Sequence, residues 1–315
     1  MRQAVILINL GGPATLDDVE PFLANLFADV ISFPWGKFGS RTLGKFAARR
    51  RKKFSQSLYR EIGGGSPILS ETRAQAKALQ LALGDHYAVH VAMRFSPPMI
   101  ATLQAELLQP TDEWHQVIVL PLFPQYSVAT TGSCHLEWQR NGAFDDRAIL
   151  IGGYHDHKDY IAAVQGTIDQ ALREKPGGAD CHILFSAHGL PESYIRKGDV
   201  YQAQIEGTVR AVMAGFSNDH SLAYQSKVGP VKWIGPATEE AIAALGRAGK
   251  RRLAVVPIAF VSEHVETLHE LDILMAGIAA GAGITDFRRV PAVGTHPRFI
   301  AALADICQNP EMYAA

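Results

Sequence analysis

The stretch VILINLGGP at residues 5–13 and the stretch ILFSAHGLP at residues 183–191 stand 178 positions apart and share one pattern. Each is a short apolar run that closes on a polar residue and a glycine and proline turn. Such a run reads as a strand buried on both faces. The likeness continues downstream. VIVLPLF from Val117 lies over LAVVPIAF from Leu253, with Pro121 on Pro257 at an offset of 136, and HKDYIAA from His157 lies over HPRFIAA from His296 at an offset of 139. The order is kept, which is the mark of an internal duplication. The fall in offset gives the first half about forty extra residues, and these belong within 14–85.

Strands are expected near 4–10, 87–93, 116–122, 148–152, 182–187, 221–226, 252–258 and 288–293. Helical patterns alternate with them, so the fold class is α/β. Two similar halves, 1–155 and 156–315, each hold a four-stranded parallel sheet flanked by helices, with a cleft between. Ligands of open parallel sheets bind beyond the carboxyl ends of the strands. Asn9, Leu10 and Gly11 fall there in the first half, with Arg94 after the second strand and PQYSVATTG, which contains Tyr126, after the third. The second half offers Ser186, Ala187, His188 and Gly189, then Lys227 and Trp233.

Composition limits the function. The chain has 315 residues, 47% of them hydrophobic, with 30 basic against 31 acidic side chains, and that balance argues against a general nucleic-acid binder. No secretory signal and no run as long as a membrane span is evident, so a cytoplasmic protein is expected. Cys134, Cys181 and Cys307 lie far apart without CxxC spacing and do not form a zinc set. The glycines of LGGP and GGGSP fit neither dinucleotide nor P-loop patterns and read as tight turns.

The most charged segment is FVSEHVETLHELD, residues 260–272, on the exit from the strand after RRLAVVPIA. A solvated helix accounts for Glu263, Glu266 and Glu270 at i, i+3 and i+7. His264 joins them at a strand end that faces the expected cleft, which points to chemistry. The spacing is not HExxH, because His264 and His269 are five apart, so a hydrolytic zinc site is poorly supported.

INLGGP, GGGSP, MRF, LFPQYSVATTGS, FSAHGLP, YQSKVGPVKWIGP and FVSEHVETLHELD together resemble ferrochelatase, in order from residue 4 to about 300. The resemblance implies the chelatase fold of two Rossmann-like halves. It implies the reaction of protoporphyrin IX with ferrous iron to give protohaem and two protons. Insertion needs a base for the pyrrole protons and labile ligands for Fe²⁺, tasks that imidazole and carboxylate suit. By resemblance His188 is proton acceptor or iron ligand, and Glu266 opposes it. Glu263, His264, Glu270 and Asp272 would form an outer relay for iron or protons, on a helix widened into π geometry. Crowded carboxylates would raise at least one pKa. Asn9, Leu10, Arg94, Phe95, Tyr126 and Trp233 would meet the porphyrin, with Leu10, Phe95 and Trp233 as walls. Arg94 would serve a propionate or hold the cleft shape. Leu10 stands where coproporphyrin-using relatives tend to carry tyrosine, which favours protoporphyrin. MRFSPP departs from the family by lacking the aromatic and histidine that usually follow the arginine.

Iron is expected as substrate, with no tightly bound cofactor. Some relatives hold a [2Fe–2S] cluster on four cysteines, and three cannot supply that set. The insertion adds a membrane expectation. Val19, Phe22, Leu23, Leu26, Phe27, Val30 and Ile31 recur at helical spacing, followed by Lys37, Arg41, Lys45, Arg49, Arg50, Arg51, Lys52 and Lys53. These form either a core helix beside a solvated basic one, or a greasy lip whose basic flank rests on anionic lipid at the inner membrane face. The chain is expected to act as a monomer or homodimer. Two other functions fit the same cleft: a sirohydrochlorin cobalt or nickel chelatase, and a tetrapyrrole carrier without catalysis. The density of EHVETLHELD speaks for an enzyme, and apolar Leu10 against a substrate with eight carboxylates.

Overall fold

The computed structural model describes residues 2–107, 114–140, 142, 144, 146–227 and 231–315, with the backbone alone for 30–39. All eight expected strands are present: β1 (Arg2–Asn9), β2 (Tyr87–Met93), β3 (Trp114–Pro121), β4 (Ala148–Leu150), β5 (His182–His188), β6 (His220–Gln225), β7 (Arg252–Val256) and β8 (Asp286–Arg289). They form two parallel sheets, ordered β2-β1-β3-β4 and β6-β5-β7-β8. Strand for strand the two orders are the same. Val5 faces Val89 on one side and Ile118 on the other, and Phe185 in the copy faces Leu222 and Val256. β8 ends four residues short of expectation because Pro291 offers no N–H to the ladder, although Val290 still donates to Val255.

The duplication extends to capping. His157 and His296 precede helices Lys158–Arg173 and Pro297–Gln308, and in both the ring Nδ1 accepts from the backbone N–H two residues on, at 3.1 and 3.2 Å. Successive strand residues point to opposite faces. Val5, Leu7, Ile118 and Leu120 therefore face a central core, while Ala4, Ile6, Ile8 and Val119 face an outer one. Ile183, Phe185, Ala254 and Val256 of the second sheet belong to the same central core, so one apolar interior runs through both halves.

The expected insertion holds the helical run Val19–Glu61 and the helix Ile68–Leu83. The first run is folded back on itself. Lys52 and Arg49 pair with Glu20 at 3.0 and 3.3 Å, whereas residues 20 and 52 of a straight helix would lie about 48 Å apart. The reversal falls between Ala28 and Gly44, and the limbs touch so closely that a Cβ at Gly44 would stand 2.8 Å from the Ala28 nitrogen.

This hairpin changes the reading of the lip. Val19 and Leu23 are buried against Ala48 and Tyr59, with Phe22 and Phe27 packed on them, so the first limb is mostly core. Val30, Ile31 and Lys37 lie outside the described side chains. The exposed apolar groups are on the second limb, where Leu43, Phe46 and Phe54 are 48, 60 and 51% exposed. Spacings of three and eight place them on one helical stripe. Arg50 and Arg51 lie over the Phe46 and Phe54 rings.

Candidate active site

In each sheet the chain leaves the first strand to one side and returns on the other, so a crevice opens between the carboxyl ends of β1 and β3, and of β5 and β7. His188 ends β5, and the segment after β7 brings Glu266 to it across 78 residues. The His188 Nδ1 lies 3.0 Å from the Glu266 Oε2, and the His264 Nε2 lies 3.6 Å from that same oxygen. One carboxylate stands between two imidazoles. Phe260 packs edge-on to the His264 ring, with centroids 4.5 Å apart, and stands 6.4 Å from that of His188.

The support is drawn from several elements. The Tyr201 hydroxyl donates to the His188 carbonyl at 3.0 Å, and the Gln225 amide donates to the Glu266 carbonyl at 3.0 Å. Gly189 must be glycine, since a Cβ there would stand 2.9 Å from the Gln225 oxygen and 3.2 Å from the Trp233 ring. Trp233 is thus held beside His188, half-buried, by a bridge to Pro191.

Only one turn of α-helix, Val265–Leu268, precedes a π-helix over Glu270–Met275, so the geometry implied by resemblance is present. The widened turn brings Glu270 to Ser226, which donates both its N–H and its hydroxyl to the carboxylate at 3.0 and 2.6 Å. Ser226 adopts φ +67°, a left-handed conformation that these two bonds help to hold.

The electrostatics divide the acidic residues. Burial raises the Glu270 pKa, and the neighbouring Glu266 charge raises it further. Burial opposes the charge on Glu266, but His188 and then His264 hold its carboxyl far below the usual range. Burial likewise works against a charged His188, and the Glu266 carboxylate more than offsets it, so the imidazole pKa is raised. The raised imidazole pKa and the lowered carboxyl pKa both favour the imidazolium–carboxylate pair.

Glu263 and Asp272 do not face the imidazoles. Both are tied to Arg289, with the Asp272 oxygen 2.8 Å from Nε. Burial of Glu263 is outweighed by that guanidinium, and its pKa is lowered. The outer part of the expected relay is thus a closed ion-pair triad. His269 departs from the group as well, pairing at 3.1 Å with Glu61 at the end of the insertion hairpin.

The expected porphyrin contacts also divide. Leu10, Tyr126 and Trp233 are half-buried. Asn9 is buried, with its amide donating to the Thr72 hydroxyl at 3.3 Å and its oxygen accepting from the Leu10 N–H. Phe95 is 2% exposed and packs under the Arg94 guanidinium at 4.8 Å, so it is internal packing and not a wall. Arg94 is ion-paired with Asp29 at 2.6 Å and bonded to the Ser133 hydroxyl at 3.0 Å, contacts that suit holding the cleft shape. Strand-end position makes Asn9, and family resemblance makes Phe95, look like cleft residues. Their burial follows from the insertion packing over them, which no local pattern reveals.

Sequence reading missed Tyr59, Gln75, Tyr201, Gln225, Ser226 and Arg289. Tyr59 is buried within the field of Glu266, and both effects push its phenol pKa up. Among the described residues no set of three His, Cys, Asp or Glu side chains is arranged to hold a metal ion, and none of the helices is long and apolar enough to cross a membrane. The three cysteines are buried free thiols.

Two four-stranded parallel sheets in matching order are an architecture shared with chelatases of known structure. SirB from Bacillus subtilis, solved with Fe³⁺, superposes over 100% of this chain and 99% of its own with a TM-score of 0.61 at 10% identity. CbiX, the terminal enzyme for siroheme biosynthesis in denitrifying bacteria, covers 98% and 99% with a TM-score of 0.54 at 15% identity. At such identities the likeness is one of fold. Sequence narrows the class. The family model for ferrochelatase matches residues 2–311. The ferrochelatase of Aquifex aeolicus is 45% identical over 98% of this chain and 99% of its own length, and that of Synechocystis is 45% identical over 98% and 82%. The chain belongs to the ferrochelatase family. It is a lyase that inserts iron into a porphyrin.

Proposed function

We propose that His188 and Glu266 carry the insertion of Fe²⁺ into protoporphyrin IX. The observation that supports this best is the Glu266 carboxylate between two imidazoles at the β5 and β7 strand ends. In the imidazolium–carboxylate pair the His188 Nδ1 proton faces Glu266. Arrival of Fe²⁺ at the carboxylate opposes that proton, so His188 discharges it and becomes a neutral imidazole. The neutral ring then accepts a pyrrole proton as iron moves from labile oxygen and nitrogen donors to the macrocycle. Two protons leave for each iron inserted, and His264 and Glu270 are the nearest groups to carry them away. Leu10, Tyr126 and Trp233 receive the disc, and Arg94 holds the wall behind it. Three cysteines leave a four-cysteine cluster without its ligands, so iron is substrate alone.

The second reading concerns the porphyrin's source. Leu43, Phe46 and Phe54 form an exposed stripe flanked by Arg50, Arg51 and Lys53, a composition that fits the headgroup and acyl boundary of an anionic leaflet. The protein then draws an apolar substrate from the inner face of a membrane. The direct test is purified protein with Fe²⁺ and protoporphyrin, kept anaerobic and followed by loss of porphyrin fluorescence. Run beside coproporphyrin and sirohydrochlorin, the assay separates the chelatases. Binding of protoporphyrin without iron uptake would leave the carrier reading standing instead.

A further inference from the structure

Gln75 lies on the helix Ile68–Leu83 of the insertion, 0% exposed, and every polar contact it makes is with the second half. Its amide nitrogen donates to the Val261 carbonyl at 2.8 Å and to the Gly294 carbonyl at 3.1 Å. Its oxygen accepts from the Ser262 hydroxyl at 3.2 Å. Both amide hydrogens are used, so the side chain fixes Val261 and Ser262 at the opening of the acidic segment. The next contact belongs to His264. Its Nδ1 stands 3.1 Å from the Ser262 carbonyl, which can only accept, so Nδ1 carries the hydrogen. The other nitrogen, Nε2, is the one presented to Glu266 at 3.6 Å.

We infer that Gln75 is a positioning residue for iron insertion: by fixing Val261 and Ser262 it places the Ser262 carbonyl to accept from the His264 Nδ1–H, which turns Nε2 toward Glu266. The ring is otherwise bounded by the Phe260 edge at 4.5 Å, a contact that does not distinguish the two nitrogens. The Ser262 carbonyl at Nδ1 and the Glu266 carboxylate at Nε2 do so, and the carbonyl is the one that Gln75 anchors. The insertion thus reaches the reacting carboxylate through one buried amide, although Gln75 touches neither imidazole.

The inference depends on Glu266 being catalytic, and a double-mutant cycle separates the two. Gln75→Met keeps length and burial while removing all three bonds. It is expected to lower kcat for iron insertion about tenfold, the scale at which outer partners act on reacting groups, with KM for protoporphyrin unchanged. In a His264→Ala background the same substitution is expected to change kcat less than about twofold, because the ring it orients is gone. Nitrogen-15 spectra of the His264 ring supply a readout independent of turnover, with the Nδ1 resonance of the wild type displaced in Gln75→Met as its hydrogen bond to the Ser262 carbonyl is loosened. Additive losses in the two backgrounds, or an unchanged His264 Nδ1 resonance, overturn the inference. If Gln75→Met is too unstable to assay, Ser262→Ala breaks the hydroxyl contact alone and is read in the same two ways. Loss of activity in Glu266→Gln with none in Gln75→Met defeats this inference only; full activity in Glu266→Gln defeats the catalytic reading beneath it.

Discussion

Replacing Glu266 by glutamine keeps the shape of the side chain and removes its charge, so the substitution tests what that charge does to His188. The two groups meet at 3.0 Å, with the imidazole 35% and the carboxylate 29% exposed. A hydrogen bond to a charged partner contributes about 1.5–3 kcal/mol. With a third of the ring exposed, solvent screening argues for the lower end, about 1.5 kcal/mol. Loss of that contribution to the imidazolium should lower the His188 pKa in Glu266→Gln. In the wild type it stands above the ordinary 6.5, because Glu266 outweighs burial; without that charge, burial takes it below. Nitrogen-15 spectra of the His188 ring across a pH series measure both values. Iron insertion in the same variant should fall about 10²- to 10⁴-fold, the range for loss of a positioned acid or base. A ring that titrates at the same pH in both proteins, or a kcat within about threefold of the wild type, would refute the reasoning.

His188→Ala should likewise lower kcat by about 10²-fold or more while leaving protoporphyrin binding intact, since it removes a base without narrowing the cleft; fluorescence quenching titration and turnover are the paired measurements. Stability should follow the two shifts in opposite directions. Glu266 is held low, so its contribution is present above the unfolded value near 4.5 and lost as pH falls through the folded value. His188 is held high, so its contribution is complete below the unfolded value near 6.5 and lost as pH rises through the folded one. Urea unfolding across pH should show the pair's contribution largest between those limits, and Glu266→Gln should flatten both flanks. Arg289→Gln should cost about 3 kcal/mol in the same measurement, because it strands Glu263 and Asp272 without their cation, Glu263 being 18% exposed. Phe46→Asp with Phe54→Asp should abolish binding to anionic vesicles yet leave turnover of a water-soluble porphyrin unchanged, and high salt should release the wild type only in part. Unchanged vesicle binding would remove the stripe from any membrane role.

The strands and their duplication were legible in the sequence because they are local facts. An apolar run such as VIVLP can be satisfied only by burial between covering layers, and proline or glycine ends it wherever it falls. Strand order in the second half follows from the first because the same side-chain pattern recurs. The strand ends then mark the cleft, and His188 and the acidic segment fall upon it. Which acidic residue faces which cation is another matter. Glu263, Glu266, Glu270 and Asp272 are chemically alike and lie within ten residues, yet one meets two imidazoles, one meets Ser226, and two share Arg289. Apart from His264, two residues from Glu266, those partners come from 17 to 78 residues away, and only tertiary packing brings them within bonding distance. The π-helix rotates the acidic residues further, by an amount their spacing does not encode. The insertion is decided in the same way. Its apolar pattern foretold a helix that buries one face, but the fold-back between Ala28 and Gly44 chose which residues are buried, leaving Phe46 and Phe54 to solvent, while the helix Ile68–Leu83 covers Asn9. A sequence states how much apolar surface must be covered; the tertiary contacts determine what covers it.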